Sequence, residues 1–81
     1  LAAEQGHADA QSHLGIMYAY GLGALKDKRR AYMWWNLAGY NGSEFAIDMK
    51  DKLLKKKMSP ADISKAQEMS IRCLESNYTD C

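Results

Sequence analysis

Several things are scarce in this chain, and each scarcity removes a class of protein. One proline and six glycines in 81 residues leave no room for a proline-rich linker or a glycine-rich disordered tail. No stretch comes near the roughly 20 consecutive apolar residues of a membrane-spanning helix, so no membrane span is expected. Leu1 to Gly6 carry neither the basic nor the apolar region of a secretory leader. The opening at Leu1 rather than Met fits a mature or truncated product, which keeps an already removed leader open. Eleven basic and ten acidic residues leave a formal charge of +1. With so little net charge there is no long-range field to draw the chain onto nucleic acid or an anionic membrane, and neither is expected as a partner.

Groups for chemistry are equally sparse. The only histidines, His7 and His13, lie six positions apart, whereas two imidazoles share a helical face at three or four. The only cysteines, Cys73 and Cys81, form no CxxC pair and have no spaced histidines to complete a zinc set. No Ser-His-Asp or Cys-His arrangement follows from the spacing, and Glu4, Asp9, Glu44 and Asp48 read as caps and solvent-facing groups. The expectation is therefore a non-enzyme with no catalytic residues, no metal site and no cofactor. Two readings stand for the cysteines. If the last helix ends near Asn77, the tail can turn back and bring Cys81 within disulfide reach of Cys73, which implies an oxidising compartment such as a periplasm. Otherwise both are free thiols, and Cys73 is a poor nucleophile because the end of a helix disfavours an anion.

Apolar residues are plentiful: 47% apolar against 26% charged is an ordinary globular composition. The chain makes one small domain that buries only about 60–65% of its unfolded surface, so its stability is marginal. Ala10, Leu14, Met17 and Tyr18 recur at helical spacing over about Ala8 to Tyr20, and Gly21-Leu22-Gly23 end that helix and turn the chain. Asp27 can cap a second helix carrying Ala31, Trp34, Trp35 and Ala38, closed by Gly39 and Gly42. A third segment, from about Ser43 to Lys57, sets Phe45, Ala46, Met49, Leu53 and Leu54 on one side. Lys50, Lys52, Lys55, Lys56 and Lys57 lie around its other side and read as a solvated face.

The fourth helix has the clearest start. Ser59 is its N-cap, Pro60 its first residue, Asp62 completes a capping box, and Met58 is placed to staple onto Ile63. Ile63, Ala66, Met69, Ser70, Cys73 and Leu74 supply its inner stripe. No strand pattern occurs, so the fold class is all-α: two antiparallel helix hairpins stacked as a short α-solenoid. The aromatic group Tyr32, Trp34, Trp35 and Tyr40 is mainly packing material, with the role of Trp35 left open.

Sliding the chain along itself so that Leu1-Ala2 falls on Leu37-Ala38 also sets Gly6 on Gly42 and Ala10 on Ala46, the signature of a helical repeat. The run Ala2-Ala3-Glu4-Gln5-Gly6-His7-Ala8-Asp9-Ala10-Gln11, followed by Leu14-Gly15, Tyr18, Gly21, Gly23, Asp27, Ala31, Trp34 and Ala38, resembles a Sel-1-like repeat, a relative of the tetratricopeptide repeat. In that pattern Ala10, Gly15 and Ala31 allow close helix approach, and Leu14, Tyr18 and Trp34 fill the space between. Residues 1–42 match the repeat. Residues 43–81 depart from it, because Lys50 and Asp51 stand where the family has a core leucine and a glycine. They resemble the divergent C-terminal cap of bacterial members.

The resemblance implies a protein-protein interaction module or scaffold whose partner is another protein or peptide. Exposed repeat faces would also permit a homo-oligomer. It implies as well that the first helix of each hairpin lines the inner surface, which nominates Asp9, His13, Ile16 and Tyr20 as the partner-binding stripe. Many bacterial members are exported, so a periplasmic or secreted location is expected, with a cytoplasmic one as the alternative. The alternative function is that of cysteine-rich relatives suggested to act on cell-wall or β-lactam ligands. Those relatives carry paired cysteines in each repeat, which residues 1–42 lack.

Overall fold

The computed structural model describes residues 7–81, and consists there of four helices with no strand: α1 (Ala8–Tyr20), α2 (Lys28–Tyr40), α3 (Glu44–Lys56) and α4 (Pro60–Glu75). The all-α class and the stacking of helical hairpins are as expected. The parts of the repeat match that fall on Leu1 to Gly6, with Glu4, lie outside the described residues.

The helix ends follow from single residues. At the end of α1, Gly21 takes a left-handed conformation (φ 69°), and the Leu22 N–H then folds back onto the Met17 carbonyl at 2.9 Å. It joins the Gly21 N–H on that oxygen, while the Asp27 N–H, 2.9 Å from the Tyr18 carbonyl, satisfies one that the helix would otherwise leave bare. The Asp27 carboxylate accepts from the Arg29 and Arg30 amides at 3.1 and 3.2 Å and starts α2. Ser43 caps α3 through the Ala46 amide, and Ser59 caps α4 through the Asp62 amide with Pro60 in the first turn. The Asp62 side chain pairs with Arg29 at 3.4 Å, which ties the start of α4 to the start of α2.

α2 is the common neighbour of the other three helices. Ala31 to Trp35, Leu37 and Ala38 are all buried, so α2 is apolar on nearly every side once past its charged first turn, as befits a central helix. On one side Met33, Trp34 and Leu37 meet Cys73 of α4, with Leu14 and Tyr18 of α1 alongside. On the other, Ala31, Trp35 and Ala38 meet Ala19 of α1 and Ala46 of α3, flanked by Met49 and Leu53. α3 and α4 have little direct packing with each other and sit on different sides of α2.

One expectation for α3 needs correction. Its inward line is Ala46, Met49 and Leu53, spaced i, i+3, i+7, whereas Phe45 lies one position off that line and is 48% exposed. Along α4 the fully buried line is Ala66, Ser70 and Cys73, and the Ser70 hydroxyl donates to the Ala66 carbonyl.

The C-terminal turn settles the two readings of the cysteines. Asn77 and Tyr78 both take positive φ (55° and 65°), the Tyr78 N–H returns to the Cys73 carbonyl at 2.8 Å, and Cys81 is disulfide-bonded to Cys73. The closed tail packs on the α1–α2 cluster through Tyr78 and Cys81. Asn41, at the end of α2, fastens it further, its amide donating to Gln11 of α1 and to the Tyr78 hydroxyl at 3.0 and 3.1 Å.

Candidate functional site

The four residues nominated on α1 divide in the structure. Asp9, His13 and Tyr20 are exposed, Tyr20 to 58%. Ile16 is half-buried and packs on the Ala19–Trp35 cluster. The division has a local cause: α1 carries apolar residues nearly all the way round, so spacing alone does not single out the line that meets α2. The buried line of α1 runs through Gln11, Ser12, Gly15 and Ala19. Ile16 borders it, whereas Asp9, His13 and Tyr20 lie beyond.

Trp35 is also decided. It is 1% exposed, and its indole N–H donates to the Ser12 carbonyl at 3.1 Å. A Cβ on Gly15 would clash with the indole ring, so only glycine lets the two helices meet there without a shift. Ser12 also reaches α3, its hydroxyl lying 2.8 Å from that of Ser43. Tyr32 and Trp34 are buried too, and of the four aromatics only Tyr40 is freely exposed, at 74%.

Where the end of α1 and the start of α2 face α3, a groove of about 270 Å3 opens. Ala19, Trp35, Met49 and Leu53 make its apolar floor, and Tyr20 stands at its edge. Five lysines surround that floor: Lys26 and Lys28 from the turn into α2, and Lys52, Lys56 and Lys57 from the end of α3. Among the described residues no carboxylate lines it. Lys28 bridges the rim by donating to the Lys57 carbonyl at 3.1 Å.

The rest of the surface makes this concentration of charge stand out. Among the described residues the ion pairs are made by arginines: Arg29 with Asp62, Arg30 with Asp27 and Arg72 with Asp80. Lys50, counted in sequence with the solvated lysines, turns back to α2, donating to Asn36 at 3.1 Å and lying 5.9 Å from the Tyr32 ring centroid. The five lysines of the groove make none of these ion pairs. They come from two segments far apart in the chain, and only folding makes them one patch. The trace they leave in sequence is the i, i+4 pair Lys52 and Lys56 beside Met49 and Leu53, opposite the Lys26-Asp27-Lys28 triplet.

No cluster of three or more His, Cys, Asp or Glu side chains that could hold a metal ion occurs among the described residues. No described helix is long and apolar enough to cross a membrane. Compared with known proteins, the chain matches no family model, and no curated protein matches it.

Proposed function

We propose that this chain is a non-catalytic protein-binding module of the Sel-1-like type, with residues 1–42 as its helical repeat and residues 43–81 as a divergent cap. The observation that carries this reading is the continuity of one outer surface. The open side of α1, from Asp9 through His13 to Tyr20, leads at Tyr20 into the lysine-rimmed groove. An exposed aromatic among polar groups beside an apolar recess is the composition of a protein interface. Ile16, on the same line of α1, is half-buried against the Ala19–Trp35 cluster. The Cys73–Cys81 disulfide fits an oxidising compartment, periplasmic or extracellular.

Affinity capture from the source cells, with mass spectrometry of what is retained, tests the reading. The native chain is compared with a variant carrying Asp9→Lys, His13→Glu and Tyr20→Ala, all at exposed positions. A partner held by the native chain and lost by the folded variant is the expected result. Equal retention by both would remove this surface from consideration.

A further inference from the structure

We propose that the groove between α1, the start of α2 and α3 binds an acidic peptide segment of a partner protein bearing at least one large apolar side chain. The inference rests on the protein-binding reading and names the chemistry of what is bound. Two features of the groove require those properties together. Among the described residues its rim holds five lysines and no carboxylate, so a ligand with several negative charges meets positive charge on more than one side. Its floor is apolar, and a ligand that brought charge alone would leave Met49 and Leu53 uncovered.

Lysine rather than arginine suits a segment that arrives and leaves. The arginines Arg29, Arg30 and Arg72 are committed to carboxylates of this chain. A peptide suits the groove better than a bilayer does, because Trp35, one of its lining residues, is 1% exposed and so lies beneath the surface. A single side chain can enter such a recess, and a flat anionic membrane cannot follow it.

The test uses fluorescence anisotropy with four probes: a labelled 12-residue peptide of glutamates with leucines at i, i+4 spacing, its Glu→Lys counterpart, an all-glutamate peptide, and phosphatidylglycerol vesicles. Saturable binding of the glutamate-leucine peptide is expected, at least tenfold tighter than either peptide control and weakened by added salt. The double variant Lys52→Glu, Lys56→Glu should bind it at least tenfold more weakly while keeping its helical circular dichroism. Lys65→Glu, an exposed change on α4, should leave binding as it is. The proposal is overturned if the all-glutamate peptide binds equally well, if the double variant binds like the native chain, or if only the vesicles bind. Should captured partners stay on the double variant while no acidic peptide binds, the groove assignment falls and protein binding stands. If neither partner nor peptide binds, both fall.

Discussion

Trp35 occupies the space that a side chain on residue 15 would need, and its indole N–H is bonded 3.1 Å away to the carbonyl of Ser12, one turn before Gly15. One tryptophan therefore sets both how closely α1 and α2 approach and how they are aligned along their axes. The groove inherits its floor from this contact, since Trp35 and Ala19 belong to both the core and the floor.

Gly15→Ala is expected to destabilise the fold by about 2–3 kcal/mol, because the added methyl must displace a buried ring in a close-packed core. Helix propensity alone would favour alanine by roughly 1 kcal/mol, so the sign of the change separates the two effects. Urea denaturation followed by tryptophan fluorescence reads it. A neutral or stabilising substitution would mean that the indole yields easily.

Removing the indole N–H is a milder change. Trp35→Phe keeps a large apolar ring but gives up the bond to the Ser12 carbonyl and part of the ring volume. The expected loss is about 1–3 kcal/mol, measured by urea denaturation with circular dichroism.

The disulfide closes a short loop at the end of α4, Cys81 lying eight positions after Cys73. Loop-closure entropy for a ring of that size gives about 2.5 kcal/mol. Reduction, or Cys81→Ser, should therefore lower the urea midpoint substantially in so small a domain. Equilibrium denaturation with and without reductant checks this, with thiol labelling to report the state of the cysteines. An unchanged midpoint would show that the tail contributes no stability through its bond.

The Asp27 carboxylate caps α2 through two amides and also pairs with Arg30 at 3.5 Å. Asp27→Ala should cost about 1 kcal/mol, whereas Asp27→Asn, which retains a capping oxygen, should cost less. Thermal unfolding of the two variants measured side by side decides whether the cap or the ion pair matters more.

Much of this architecture is legible in the sequence because it rests on local chemistry. Gly21, Asp27, Ser43, Ser59 and Pro60 mark helix ends by what their own backbone or side chain can do. Faces were harder. α1 is apolar on several sides, so the place of Ile16 against α2 depended on a partner helix that no local pattern specifies. Phe45 shows the converse, an apolar residue one position off the line that α2 covers. Gln11, fully buried and bonded to Asn41, carries no sequence mark of burial. The pairing of the cysteines required the two positive-φ residues of the last turn, which few side chains adopt and which spacing does not reveal. The groove was least legible of all. Its lysines come from two separate segments and each reads, taken alone, as a solvated charge.

The proposed binding role rests on one continuous surface, the open side of α1 and the adjoining groove. The most direct measurement is amide chemical-shift mapping of the 15N-labelled chain on addition of the captured partner. Perturbations at Asp9, His13, Tyr20, Lys52 and Lys56 are the predicted result. Perturbations confined to the outer side of α4, at Ser64, Glu68 and Ile71, would contradict it.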